Sequence, residues 1–117
     1  MERNLELGQT QQHVSDSFFY LYRRSLHPEL MAVSFTSDLA LLGLPGEWFV
    51  ETVAEIREEV AVRQLPVACY ANHYMGYVVP EAAYEEGGYE PGVSLLAPEA
   101  EAIAKTAAID LMKEVLQ

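Results

Sequence analysis

The chain has 117 residues, half of them apolar, and its 18 acidic and seven basic residues give a formal net charge of −11 at pH 7. This length predicts one domain, residues 1–117, with enough apolar side chains for a packed core. The acidic balance excludes nucleic-acid binding, because such a surface repels phosphate backbones. No apolar run is long enough to span a membrane, and residues 1–6 lack the start of a signal peptide, so we expect a cytoplasmic protein.

The first 30 residues are predicted to form a lead-in and one helix. Residues 1–10 are polar, whereas apolar side chains recur at helical spacing from Gln11 to Leu26. Two apolar runs then follow, residues 31–36 and 39–44, separated by Ser37-Asp38. Two such runs around two turn-forming residues predict a β-hairpin.

The next segment predicts a strand, a helix and a strand. A helix is expected from Glu47 to about Arg63, with an apolar stripe that includes Val53 and Ile56. A buried strand is expected at Val67–Tyr70, followed by irregular chain over residues 71–97. Strand, helix and strand in this order typically form a parallel crossover.

The remaining chain, residues 98–117, predicts a final helix that starts near Pro98. Its apolar stripe is predicted from the helical spacing of Ala100, Ile103, Ala107, Leu111 and Val115. The fold expected is α/β or α+β: a small mixed sheet with a β-hairpin, a β-α-β unit and flanking helices. The single cysteine, Cys69, excludes an intramolecular disulfide and is expected to be a small core residue.

Two stretches are candidates for chemistry. Glu47 ends the motif L-P-G-E between a predicted strand and a predicted helix, where ligands gather in α/β folds. Its carboxylate could equally complement the dipole of the helix that follows. Five of the seven tyrosines lie between residues 70 and 89, in a predicted loop. Their phenols could bind a cation or an oxyanion, or simply pack the loop.

The three histidines offer no recognisable metal motif. His13, His27 and His73 lack the helical i, i+4 spacing of a metal-binding pair, and none lies in a Cys/His array. We therefore expect surface or loop histidines rather than ligands.

Three motifs in order resemble the neutral/alkaline (non-lysosomal) ceramidase family. They are the segment from Asp38 to Glu47 that ends in L-P-G-E, the Tyr70–Tyr77 segment Y-A-N-x-Y-x-G-Y, and the Tyr84–Glu90 segment Y-E-x-G-G-Y-E. The similarity covers about residues 32–97 and corresponds to the C-terminal part of the family's catalytic domain.

The resemblance implies a zinc-dependent amidase that cleaves ceramide, an N-acylsphingosine, into sphingosine and a fatty acid. It implies that Glu47 and Tyr77 are zinc ligands and that Tyr89 lies beside the metal as a catalytic residue. The family's other two ligands are histidines from earlier sequence, which nothing in this chain matches. Two oxygen ligands do not hold zinc tightly, so the chain alone is expected to bind it weakly or not at all.

These features lead to one leading hypothesis and two alternatives. The leading hypothesis is a ceramidase-like fragment, split gene product or diverged relative that is inactive alone and needs a partner chain carrying the histidines. The first alternative is a structural or interaction module that self-associates or completes a partner chain through uncovered strand edges. The second is a complete small zinc enzyme that uses His13, His27 or His73.

Overall fold

A computed structural model of the chain describes residues 27–117. The helix expected from Gln11 to Leu26 and the polar lead-in before it lie outside the described residues, as does His13.

The predicted hairpin is confirmed. Strand β1 (Met31–Ser34) pairs antiparallel with β2 (Ala40–Gly43), with Met31 opposite Gly43. The Thr36 hydroxyl oxygen accepts hydrogen bonds from the backbone N–H groups of Asp38 and Leu39, each at 3.1 Å. A short side chain that bonds to the backbone in this way closes a turn locally.

The predicted parallel crossover is also confirmed. Helix α1 (Val50–Val60) leads to β4 (Val67–Ala68), which pairs parallel with β2 and gives a sheet of order β1-β2-β4. The predicted helix start was wrong, because Glu47 lies in a short strand, β3 (Glu47–Trp48), whose Glu47 N–H donates to the Gly76 carbonyl at 2.8 Å. The helix also ends earlier than the predicted Arg63: its last residue is Val60, and Ala61, which follows, adopts a left-handed conformation with φ 56°.

Residues 71–97 contain more regular structure than predicted. Strand β5 (Tyr77–Val78) pairs parallel with β3 and forms a second, two-stranded sheet. Two short helices follow it, α2 (Glu81–Glu86) and α3 (Tyr89–Val93). The prediction of an irregular segment was wrong here because two-residue strands and helices of one or two turns are too short for periodicity to reveal.

The predicted final helix is present as α4 (Ala100–Val115), but its predicted apolar stripe was wrong in part: Val115 packs against the core, whereas Ile103 and Ala107 are exposed. Its buried side chains are Glu101, Ala108 and Met112, whereas Ile103 is 67% exposed. The predicted stripe assumed that only apolar side chains face the core. Glu101 is buried because it has polar partners there: the Thr52 hydroxyl donates to its carboxylate at 2.7 Å.

The core lies where β2, α1 and α4 meet, and apolar side chains from all three elements fill it. Cys69 packs at its margin as a free cysteine. The buried members are Ala40, Leu42, Leu44, Trp48, Val53, Ile56, Leu65, Met75, Val78, Ala108 and Met112. The expected fold class, a small mixed sheet with flanking helices, is thus confirmed. Within residues 27–117, no helix has the length and apolar character needed to cross a membrane.

Candidate active site

Glu47 and Tyr77 lie next to each other. They occupy matching positions on the parallel strands β3 and β5, where Glu47 is the register partner of Tyr77. Neighbouring residues in register project to the same face of a sheet. Both side chains line an open cleft of about 240 Å³, to which Glu90 and Glu51 also contribute. The two oxygen-bearing side chains to which the resemblance assigns one metal therefore lie on the same face of this sheet and line one cleft.

The glycine of L-P-G-E allows the two strands to approach. Gly46 has a φ of 75°, a left-handed conformation that favours glycine. Its N–H donates to the His73 carbonyl at 3.0 Å, and the next N–H, of Glu47, donates to Gly76. These bonds align the start of β3 with the chain that leads into β5, which brings Glu47 to Tyr77.

Tyr70 contacts Glu47 directly. Its hydroxyl donates a hydrogen bond to Oε2 of Glu47, and this bond is the largest cause of a rise in the pKa of the Tyr70 phenol to about 12. The Tyr70 ring stacks on Tyr74, with centroids 5.9 Å apart and planes 9° apart. Sequence reasoning gave Tyr70 no role, although it begins the Y-A-N-x-Y motif.

Tyr89 reaches the same site from α3. Its ring meets the Tyr77 ring edge to face, with centroids 6.0 Å apart, and Tyr89 is 62% exposed. Partial burial raises the pKa of the Tyr77 phenol, and the nearby Glu47 carboxylate raises it further. Glu90, which sequence reasoning did not single out, follows Tyr89 and also lines the cleft.

A hydroxyl of Ser94 links the segment that carries Tyr89 to β5. The Ser94 hydroxyl donates to the Tyr77 carbonyl oxygen at 2.9 Å and accepts a bond from the Tyr84 hydroxyl at 3.1 Å. Tyr84 also donates to the Leu96 carbonyl at 3.0 Å. These bonds join α2, the end of α3 and β5, and so help to hold Tyr89 close to Tyr77.

The side-chain atoms around the cleft that could bind a metal are oxygens. Carboxylate and phenolate oxygens suit a divalent cation, and zinc accepts carboxylate ligands, so Glu47 and Tyr77 fit part of a zinc site. Zinc sites in enzymes generally have three protein ligands, often histidines. Among residues 27–117, no group of three or more His, Cys, Asp and Glu side chains is arranged to hold a metal. His73 lies exposed in the loop between β4 and β5, and His27 lies in the chain before β1.

Two solved structures of ceramidases are similar to this chain. Neutral ceramidase from Pseudomonas aeruginosa superposes with a TM-score of 0.61 and is 29% identical over 68% of this chain. The chain is similar to a segment of neutral ceramidase. A second solved structure, described as a ceramidase complexed with C2, is 29% identical over 67% of this chain, with a TM-score of 0.60.

The similarity confirms the resemblance seen in the sequence motifs. It covers only 14% of the P. aeruginosa ceramidase chain and 13% of the second ceramidase, so the match is to a fragment of each. A scan against protein-family models and a comparison with curated proteins found no match. The solved ceramidases therefore support both the fold and the ceramidase-like character of the segment.

Proposed function

We propose that this chain supplies the glutamate- and tyrosine-bearing part of a ceramidase-type amidase site. The bond cleaved at such a site is the amide of a ceramide-like lipid. The observation that carries the proposal is the pairing of Glu47 with Tyr77, in a chain similar to a segment of neutral ceramidase. Because the chain spans about one seventh of that ceramidase, complete catalysis is assigned to an assembly and not to this segment alone.

Each site residue has a proposed role. Glu47 and Tyr77 would hold zinc, which when bound polarises the amide carbonyl and provides an activated water. Without a cation, Tyr77 stays protonated at neutral pH, since its pKa is raised above the usual phenol value. The Tyr89 hydroxyl would donate a hydrogen bond to the oxyanion of the tetrahedral intermediate, a contribution typically worth about 3 kcal/mol.

We further propose that the 117-residue polypeptide is inactive by itself. Glu47 and Tyr77 provide two oxygen ligands, fewer than the three protein ligands that a catalytic zinc generally has. The resemblance implies that two histidines from other sequence complete the set. A partner chain bearing them would therefore be required for hydrolysis.

The test measures ceramide hydrolysis by the purified chain with stoichiometric zinc chloride. We expect no turnover alone, and turnover after addition of a ceramidase polypeptide that retains its histidines and lacks the segment matched here. Glu47→Ala should abolish the restored activity, whereas Glu58→Ala, on the exposed surface of α1, should not. Restored activity that survives Glu47→Ala would overturn the assignment. Hydrolysis by the chain alone that depends on Glu47 would instead overturn only its proposed inactivity.

A second candidate function, self-association, is favoured by an apolar sheet face. Met31, Val33 and Phe35 alternate along β1 and the residue after it, and they are 43%, 38% and 61% exposed. Exposed apolar side chains beside an edge strand are typical of an interaction site. Sedimentation equilibrium would show dimers that Val33→Asp dissociates and that Ile103→Asp, on exposed α4 surface, leaves intact. A monomer at high concentration would contradict this function.

A further inference from the structure

The loop between β4 and β5 holds Tyr70 in an unusual backbone conformation. Tyr70 and Asn72 have φ angles of 56° and 65°, in the left-handed region that residues other than glycine rarely adopt. Such conformations persist only where the surrounding structure imposes them, and they concentrate at functional sites. The left-handed conformation of Tyr70 accompanies contacts of both its backbone and its ring.

Backbone hydrogen bonds join this loop to the segment that leads into Glu47. The Tyr70 N–H donates to the Gly46 carbonyl at 2.9 Å, and the Ala71 N–H donates to the Leu44 carbonyl at 3.0 Å. The backbone of Tyr70 is therefore bonded to the residue immediately before Glu47. Stacking on Tyr74 further restricts the orientation of the Tyr70 ring.

The two carboxylate oxygens of Glu47 have different surroundings. Oε2 accepts the hydrogen bond from the Tyr70 hydroxyl. Oε1 accepts no hydrogen bond from the residues that the structure describes, and the carboxylate lies beside Tyr77 in the cleft. Among the described residues, one oxygen is thus held by a hydrogen bond while the other has no hydrogen-bond donor.

We infer that Tyr70 is a positioning residue that holds the Glu47 carboxylate in one rotamer, with its second oxygen available to a divalent cation. The inference rests on the proposed role of Glu47 as a metal ligand. A carboxylate that binds a metal is commonly oriented by a hydrogen bond from a residue that does not itself bind the metal. Loss of such a bond typically lowers metal affinity about 10- to 100-fold. Tyr70 makes the same kind of bond to Glu47.

The first experiment tests the positioning without metal. Three-bond NMR couplings about χ1 of Glu47 report whether one rotamer is populated. We expect a single rotamer in the wild type and in Tyr74→Phe, which keeps the stacked ring, and rotamer averaging in Tyr70→Phe. An unchanged Glu47 rotamer in Tyr70→Phe overturns the inference. Equal urea midpoints for the three proteins would show that the averaging does not come from partial unfolding.

The second experiment connects the positioning to the metal. Zinc chloride is titrated into the full chain while the NMR signals of Glu47 and Tyr77 are followed, a method that also measures weak binding. Tyr70→Phe should weaken zinc binding by about tenfold or more, while Tyr74→Phe and Glu58→Gln should retain the wild-type affinity. A wild-type affinity in Tyr70→Phe overturns the inference about Tyr70.

The two experiments separate failure of the inference from failure of the proposed function. If Glu47→Gln binds zinc as the wild type does, or if zinc shifts the signals of other residues of the wild type but not those of Glu47 and Tyr77, the ligand assignment fails. The rotamer measurement would then still decide whether Tyr70 orients Glu47. If Glu47→Gln loses zinc and Tyr70→Phe does not, the ligand assignment is supported and the positioning role is rejected.

Discussion

At the scale of single residues, Gly46 determines how closely β3 approaches β5. A Cβ atom at this position would lie 2.6 Å from the Gly76 carbonyl oxygen and 2.8 Å from Cγ of Met75. The first of these atoms is backbone and cannot rotate away. Since Glu47 is the next residue, a displacement here would also move the proposed zinc ligand.

We therefore predict that Gly46→Ala lowers the free energy of unfolding by at least about 2 kcal/mol, because a left-handed alanine and a backbone clash both add cost. Urea unfolding followed by circular dichroism measures the change. Gly92→Ala is the control, since a Cβ there meets no atom within 4 Å. Equal unfolding free energies for the two variants would show that the strand approach does not need glycine.

Tyr70 provides a prediction about alkaline pH. Its pKa is about 12 in the folded chain against 10.0 for an ordinary tyrosine, so the stabilisation from its bond to Glu47 is complete below pH 10 and lost as pH rises towards 12. Between those values, the wild type should lose more unfolding free energy than Tyr70→Phe. Urea unfolding at several pH values would show it, and parallel curves for the two proteins would contradict it.

The sequence predicted only part of this site. Glu47 and Tyr77 were singled out because each ends a motif shared with ceramidases, and their register on β3 and β5 agrees with a common site. Their roles as metal ligands, and that of Tyr89 in catalysis, stay predictions. Tyr70 was missed because its partner is 23 residues away. A hydrogen bond between a loop and a strand that are distant in sequence leaves no periodic signal.

At the scale of elements, α1 and α4 are joined by a buried polar contact. The Thr52 side chain is 1% exposed and donates to Oε1 of Glu101, which is 5% exposed. Lys105 lies 3.6 Å from the same oxygen and also pairs with Glu55 on α1. A buried carboxylate is tolerated only with such partners, so the position of α4 depends on them.

We predict that Thr52→Val lowers the unfolding free energy by about 2 kcal/mol, because it removes a hydrogen bond to a buried charge without changing the shape of the side chain. Thr106→Val is the matched control. Its hydroxyl is exposed and donates to the Ala102 carbonyl of its own helix, with no other hydrogen bond among residues 27–117, so its effect should be small. Unfolding free energies that fall equally in the two variants would argue against a role of Thr52 in joining the helices.

The elements themselves were predicted with uneven success, for physical reasons. The hairpin and the parallel crossover were predicted because turn residues and apolar runs are local signals. The predicted start of α1 was wrong because Glu47 lies in a strand that pairs with Tyr77, a residue distant in sequence. The predicted buried face of α4 was wrong in part, because Glu101 points inward to Thr52 and Ile103 is exposed. Both errors arise where tertiary contacts override local pattern.

At the scale of the whole molecule, the charge of −11 opposes compaction. Helix α1 presents Glu51, Glu55, Glu58 and Glu59 on exposed surface, and lysines of α4 pair with only two of them. Surface ion pairs contribute little to stability in general, whereas repulsion sums over every unpaired carboxylate. We therefore expect repulsion among the carboxylates to destabilise the fold by more than the surface ion pairs stabilise it. Salt screens both effects.

We predict that raising sodium chloride from low to physiological ionic strength increases the Tm by about 2–5 °C, because the screening length falls to about 8 Å and weakens the repulsion among carboxylates. Thermal unfolding followed by circular dichroism measures the shift. At low salt, Glu58→Gln should raise the Tm and reduce the salt effect, because Glu58 has no ion pair among the described residues. Glu55→Gln should not raise it, because it removes the partner of Lys105. A Tm that falls with salt would mean that the ion pairs between α1 and α4 outweigh the repulsion, and that the acidic surface does not limit the stability of the fold.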